Sequence, residues 1–590
     1  MRTEHDLSRI LASIDRRGYP AYKQLAGTYS FGGGHLCIDH VQGDPFASPS
    51  ELSVCLPLAQ GGWPRALLNE PHRRVALEDF LLRRFARELA RYSFRATGSG
   101  KSGLLATSRL GQEVLSRSAC EISEDIITVR LAAGFPAHGR STDARALEAM
   151  LIDYIPACVD NALVATPAAL AQAKAAIELA DDQHAIRRQL RELGLVAFVA
   201  DGSFLPRQSG VSALPLRSAK PFRAPESLSV ELSAPHRGRV RGLGIRRGVT
   251  LIVGGGYHGK STLLSALQEG VYNHVAGDGR ELVICEDSAA KLRAEDGRAV
   301  TGVDISAFIG TLPNGATTTH FSTPDASGST SQAASTVEAI AQGATTLLID
   351  EDTSATNFMV RDQLMEAVVS REHEPITPFV ERVRSLWERQ GISSVIVAGS
   401  SGSFFSVADT VIQMESYEAR DITERAQSVC AQRGAPATPS APGFAPISDG
   451  ATCPVRIAGE ARRTRGGRGK APAQEREDGR GERIRARASR DSLQVGNGSA
   501  DLRLVEQLVS EEQTCAIAQM LRWAAASSLL DGTHTVREVV DATFAALERK
   551  GWSMLGEHET PSCALALPRR HELACALRRW RRLLARSQSA

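Results

Sequence analysis

The residues best suited to chemistry are Gly254, Gly255, Gly256, Tyr257, His258, Gly259, Lys260, Ser261 and Thr262. They follow an apolar, β-prone run from Val249 to Val253 and open a helix-periodic run, Thr262 to Leu267. This is the G-x-x-x-x-G-K-[ST] phosphate loop in the strand–loop–helix setting it requires. Glycines let successive backbone N–H groups curl around a phosphate, and the helix N-terminus adds partial positive charge. Lys260 is expected to reach the β- and γ-phosphates of ATP, and the Ser261 hydroxyl to ligate Mg²⁺. Gripping a triphosphate is not hydrolysis, which needs carboxylates. Thr346-Leu-Leu-Ile-Asp350-Glu351 reads as a buried strand ending in two acids. Asp350 would hold Mg²⁺ through water, and Glu351 would orient or deprotonate the attacking water.

Asp350-Glu351, followed by Asp352-Thr-Ser-Ala-Thr-Asn357, resembles the Walker B and D-loop of ATP-binding-cassette ATPases. Upstream, Asp325-Ala-Ser-Gly-Ser-Thr-Ser-Gln332 enters an amphipathic helix and looks like the cassette signature. Together, GGGYHGKSTLL, ASGSTSQAA and LLIDEDTSATNFMVRD resemble the soluble family of predicted ATPases of the ABC class. The resemblance covers most of the chain and is strongest over 245–415. Val505–Val509 and Pro568-Arg569-Arg570 fit it too. It implies that the signature helix of one subunit caps the γ-phosphate held by the loop of another. Ser327, Gly328, Ser329 and Gln332 would then contact ATP across a homodimer interface. A small-residue loop at a helix N-terminus suits that task.

The chain departs from transporter cassettes in several places. Only 27 residues separate Arg298 from Ala326, too few for the helical subdomain that docks on a membrane domain. The strand Ser393–Ala398 runs into Gly399-Ser-Ser-Gly402 where a switch histidine is expected, with Ser400 or Ser401 as weak substitutes. Ala294-Glu-Asp-Gly-Arg298 occupies the place of the Q-loop. There, Glu295 or Asp296 would approach Mg²⁺ through water, and Arg298 would approach phosphate. Asn357 stands where many D-loops have Asp, and Arg361 and Arg371 are candidate dimer contacts.

The positioning elements follow. Apolar β-runs at 228–232, 249–253, 282–286, 345–350 and 393–398 alternate with helices, predicting a parallel sheet with crossover helices. The expected fold is α/β, with a central ABC-type P-loop NTPase domain at 226–420 built on a parallel-rich sheet. It is flanked by an N-terminal α/β domain at 1–200 and a mainly helical C-terminal domain at 496–590. Residues 201–225 read as a turn-rich linker, and 431–495 as a disordered Pro/Gly-rich, then Arg-rich, linker. In the N-terminal part, 5–28 reads as a helix ending near Gly18-Tyr-Pro20, then a basic-aromatic patch of Tyr22, Lys23 and Tyr29. Residues 75–94 predict a helix with an Arg-rich outer face, 120–134 a strand, and 142–194 helices. Thr97–Gly103 looks like a second phosphate loop, but Arg95 stands where the first glycine must be, and a helix precedes it.

Composition sets the remaining bounds. At 590 residues, the chain has room for about three to four domains. Sixty-nine basic and 67 acidic residues leave a net charge of +2, so any basic surface is local. Residues 456–490 carry 12 Arg or Lys against 5 Asp or Glu, and Pro568–Arg586 carries seven arginines, expected on the basic face of one terminal helix. These segments suggest RNA or single-stranded nucleic acid as the load. No apolar run approaches the roughly 18 residues of a membrane span, and the N-terminus has no apolar signal region. The ten cysteines are scattered singly, as in a reducing compartment, and the expected location is cytoplasmic, with organelle import left open. An ATP-gated scaffold that recruits a protein partner with little turnover is the alternative.

Overall fold

The computed structural model describes residues 1–361, 368, 374–433, 441, 443–457, 484–556 and 560–585. It contains two compact units. One comprises Met1–Ala289, Thr410–Arg425 and Trp552–Leu567; the other comprises Ala290–Asp409, Ala426–Gly551 and Pro568–Ala590.

The first unit opens on an antiparallel sheet in the order Gly27–Phe31, Gly34–His40, Ser50–Pro57, Ile126–Ala133 and Leu105–Ala106. Alternation puts Leu52, Val54, Ile127 and Val129 on one face, in a common core with Leu77, Leu81, Phe85 and Leu89 of helix Pro71–Tyr92. Two expectations change here. Residues 120–134 form two strands, Cys120–Ser123 and Ile126–Ala133, because Glu124 and Asp125 turn at positive φ (47° and 66°). Tyr22 and Tyr29 are not a surface patch. Their rings are buried, and their hydroxyls donate to the Pro136 and Leu25 carbonyls at 2.7 and 2.8 Å. Thr97–Gly103 is a braced turn. Ser102 Oγ donates to the Ser99 carbonyl at 2.6 Å and accepts from the Ala137 N–H at 3.0 Å.

Helix Pro167–Glu192 buries Leu179, Ile186 and Leu190 against a second sheet. That sheet runs Ser229–Ala234, Gly238–Arg246, Leu195–Ala200, Val283–Cys285, antiparallel throughout. The runs at 228–232 and 282–286, expected in the parallel sheet, therefore belong elsewhere. The short turn after Ala234 returns the chain directly as Gly238–Arg246, which permits only antiparallel pairing. Val249–Val253 does pair in parallel, with Thr410–Glu415, which hairpins into Glu418–Asp421. Residues 207–215, expected as a linker, form a small hairpin.

In the second unit, Ala290–Leu292, Thr346–Asp350 and Ser393–Ala398 pair in parallel. The latter two are buried throughout. Helices Gly328–Ala341 and Phe379–Gln390 accompany them. The short stretch from Arg298 is a β-hairpin, Arg298–Val303 with Phe321–Ala326. Toward the C-terminus, a three-stranded meander covers 486–501, so the stretch 431–495, expected to lack order, is folded from 486 and also at Val455–Ile457. Residues 458–483 and Arg371 lie outside the described residues.

Helices Glu511–Ala526, Val536–Lys550 and Arg570–Arg579 follow. The last is shorter than expected, and its arginines do not make a basic face. Arg578 and Arg579 are 1% and 6% exposed. Arg578 donates to the Thr301 carbonyl at 2.8 Å, and Arg581 to the Pro324 and Gly297 carbonyls at 2.9 and 3.0 Å. Beyond the helix, Leu583–Ala585 pairs with Val455–Ile457. Among the described residues no single helix is long and apolar enough to cross a membrane. Ala144–Leu163 and Pro167–Glu192 reach that test only as a pair bent by 60°.

Candidate nucleotide site

The phosphate loop leaves the buried strand Val249–Val253 through Gly254, whose φ of 144° excludes a side chain. A Cβ there would stand 2.3 Å from the Met414 carbonyl oxygen. The loop ends at Gly259, also left-handed at φ 98°, where a Cβ would meet the Tyr417 ring at 2.9 Å. Helix Lys260–Glu269 starts immediately after. Its first N–H groups lack intrahelical partners and sit at the positive end of the helix dipole. Lys260 Nζ donates to the Gly254 and Gly255 carbonyls, both at 2.8 Å, which holds the ammonium over the loop. Ser261 is exposed and Thr262 half-buried.

A clasp fixes the loop. The Ser416 N–H donates to His258 Nδ1 at 2.7 Å, and the Tyr417 N–H to the His258 carbonyl at 3.1 Å. The hairpin turn therefore engages His258 Nδ1 as an acceptor, which places the ring hydrogen on Nε2. Tyr257 takes φ 62°, uncommon for a bulky residue, and its side chain is fully exposed.

The carboxylates stand at the end of strand Thr346–Asp350. Asp350 is 7% exposed, and its Oδ1 accepts the Asp352 N–H at 3.2 Å. Glu351 is gripped by the segment after the neighbouring strand. Its Oε2 accepts the Gly399 and Ser400 N–H groups at 2.6 and 3.2 Å, and its Oε1 accepts the Ser400 hydroxyl at 2.7 Å. Burial pushes this carboxyl up, but the donors from Ser400 and Gly399 outweigh it and hold it below its ordinary value.

Ser327 caps helix Gly328–Ala341, its hydroxyl accepting the Thr330 N–H at 3.4 Å. Ser327 is exposed, Gly328 half-buried and Ser329 buried. Gln332, expected to face the nucleotide, is fully buried. Its Nε2 donates to Ser354 Oγ at 2.9 Å, and its Oε1 accepts the Ala355 N–H at 2.9 Å. It ties the helix to the loop after Glu351.

Two family models cover this region and the part before it: the P-loop domain of the ABC ATPases over 169–444, and the N-terminal domain of ATPases of the ABC class over 4–166. The chain belongs to the ATPases of the ABC class. A third model, the MRB1590 C-terminal domain, matches 484–586 of this ABC-class ATPase. The uncharacterized protein MJ1628 of Methanocaldococcus jannaschii is 33% identical over 251 residues, covering 40% of this chain and 54% of the relative. The chain thus spans about half the length of that curated relative.

Among solved structures, cbiO1 from Clostridium perfringens, part of the ABC transporter complex cbiONQ, is similar at TM-score 0.25 and 15% identity. It covers 41% of this chain and 92% of that one. The ADP conformation of MJ1267, an ATP-binding cassette of an ABC transporter, is similar at TM-score 0.24 and 11% identity, covering 40% and 96%. At such scores neither likeness carries an argument.

In the ABC-class ATPase, the positions that depart from transporter cassettes have been rebuilt. Ser400 stands where a switch histidine is expected, and it holds Glu351. Glu295 and Arg298 do not face a nucleotide. Glu295 is 7% exposed and ion-paired to Arg579, with Oε2 3.1 Å from Arg579 Nε. Arg298 is 5% exposed, pairs with Glu338 and donates to Ser335 Oγ at 2.6 Å. Lys291, which the sequence did not single out, is buried, with Nζ 3.4 Å from Thr353 Oγ1. Its neighbourhood is set by the register pairing Lys291 with Leu348, which no local motif announces.

Proposed function

We propose that this ABC-class chain binds ATP with Mg²⁺ on Gly254–Thr262 and hydrolyses it, with Glu351 as the base that orients or deprotonates water. The observation that supports this most directly is the triple hold on Glu351 by Gly399 and Ser400, which keeps the carboxylate charged and aimed. The donor set suits Mg²⁺, which usually takes one or two carboxylates, substrate phosphates and water. Asp350 is such a carboxylate and Ser261 offers an exposed hydroxyl. Bound there, the ion would neutralise charge on the phosphates. Lys260 would leave its carbonyls for the β- and γ-phosphates, and the Gly254–Gly259 backbone would donate to them.

Replacing Ser400 with Ala tests the hold on the base. It removes the hydroxyl donor to the Glu351 carboxylate and keeps the Gly399 and Ser400 N–H donors, so the pKa rises toward the ordinary value. A base must be unprotonated, so the acid limb of the kcat profile is expected to move to higher pH. An unmoved limb in Ser400→Ala would separate Glu351 from the chemistry.

The proposed assembly is a homodimer in which each nucleotide is completed by the other chain's Ser327, Gly328 and Ser329. The N-terminal part at 1–200 and the C-terminal part at 496–590 would carry the load. RNA or single-stranded nucleic acid is the proposed partner. Because Arg578 and Arg579 are turned inward, this rests on the basic stretch at 456–490. Binding of single-stranded RNA is expected to fall steeply with salt and to be lost on deleting 458–483. Filter binding across a salt series decides it: salt-insensitive or absent binding sinks the assignment. The second reading, an ATP-gated scaffold, is favoured by the serine at the switch position. Steady-state turnover near zero, with and without RNA, would select it.

A further inference from the structure

A cavity of about 50 Å³ lies inside the second unit. Helix Gly328–Ala341, helix Arg570–Arg579, strand Ala290–Leu292 and residues 504–507 wall it. Five fully buried polar atoms on its lining residues have no hydrogen-bond partner: Arg293 Nε, Gln342 Nε2, Arg578 Nε, His571 Nε2 and Glu338 Oε1. Leaving one such atom unmet costs about 1–3 kcal/mol. Five around one hollow require a shared occupant.

The chemistry of the set is lopsided. Arg293, Gln342 and Arg578 can only donate from these atoms, and Glu338 Oε1 is the single carboxylate acceptor. Arg578 is 1% exposed and forms no ion pair among the described residues. Its guanidinium donates to the carbonyls of Thr301 and Cys453, at 2.8 and 3.5 Å. Burial pulls this guanidinium down to about 10, as for a cation short of negative charge. Burial, with Arg569 and Arg537, pulls His571 down to about 3, so its imidazole is neutral and adds no charge of its own. An anion with several oxygens matches such a wall well.

Size narrows the occupant. One water needs roughly 10–15 Å³ of such space. The cavity of about 50 Å³ thus holds roughly three to five water-sized atoms. The four oxygens of a tetrahedral oxyanion fall within that range, and a nucleotide does not fit.

We propose that this cavity binds free inorganic phosphate, its oxygens accepting from Arg293, Gln342 and Arg578 and its P–OH donating to Glu338. The ligand would pin the terminal helix to the helix that begins at Gly328 and is capped by Ser327. The site is independent of the ATP reading and stands if that reading fails.

The test uses the full chain carrying Lys260→Ala, so that the phosphate loop does not contribute. Phosphate is titrated while thermal unfolding is followed, with sulfate, which has no proton to give Glu338, as the comparison ion. A saturable rise in Tm with phosphate, smaller with sulfate and lost in Gln342→Leu and in Arg293→Met, supports the site. No rise, an equal rise with sulfate, or a rise that both variants keep overturns it. Should either variant not fold, equilibrium dialysis of the Lys260→Ala chain against radiolabelled phosphate decides. About one phosphate per chain supports the site, and none overturns it.

Discussion

Glu351→Gln is expected to lower steady-state ATP hydrolysis by about 10²–10⁴-fold, the usual contribution of a positioned general base. The amide keeps the shape of the carboxylate. Its oxygen can still accept from the Gly399 and Ser400 N–H groups, so the local fold should persist. What is lost is the charge that deprotonates or orients water. ATP affinity should change little, because the loop from Gly254 to Thr262 is untouched. Phosphate release and equilibrium binding of ATP, measured on the same preparation, separate the two effects. Turnover within a few-fold of the parent chain would remove Glu351 from the mechanism. In the homodimer reading, the same variant accumulates an ATP-bound dimer, visible by light scattering.

Arg579→Met is expected to destabilise the second unit by about 3–5 kcal/mol, the range found when one partner of a buried ion pair is removed. Arg579 and Glu295 are both nearly inaccessible, at 6% and 7% exposure. The guanidinium makes two contacts with the carboxylate, one of them Nε to Oε2 at 3.1 Å. The Glu295 carboxyl is held below its ordinary pKa. Burial alone would raise it, and Arg579, with Arg298 and Arg293, overcomes that. Without Arg579, an ionised carboxylate stays buried against the remaining arginines or takes up a proton. Adding Glu295→Met in the same chain should recover most of the loss, because two apolar groups replace two charges. Denaturant unfolding of both variants checks this. A single variant that costs less than about 1 kcal/mol, or a double variant worse than the single, contradicts the buried-pair account.

The parts of the site legible in the sequence are those whose chemistry is local. The glycines at 254 and 259, Lys260, and the acids after Thr346–Asp350 each sit within one turn of the element that positions them, so spacing alone identified them. The short gap after Arg298 likewise announced that no helical subdomain would fit, and a hairpin occupies it.

What stayed hidden depends on long-range pairing. Seven arginines near the terminus counted as a basic face, because composition gives charge but not direction. Arg578 turns to the Thr301 carbonyl and Arg579 to Glu295, both more than 250 residues earlier in the chain. Gln332 was read as a ligand contact from its place in the signature, yet its partners are Ser354 and Ala355. Tyr22 and Tyr29 lie among basic and polar neighbours, which hid their place in the core. The antiparallel sheet took two strands from the expected parallel one because strand composition does not encode the direction of the partner.

The Gln332 bridge carries a kinematic consequence. Helix Gly328–Ala341 is tied through Gln332 to Ser354, and Ser354 Oγ donates to the Asp350 carbonyl at 2.8 Å. Next in the chain is Glu351, anchored to Ser400. The helix tip that would cap one nucleotide and the carboxylates that would act on another thus move as a single lever. In the proposed homodimer, seating one nucleotide would swing the base that serves the other. The two sites would then turn over in step or in alternation, never as independent engines.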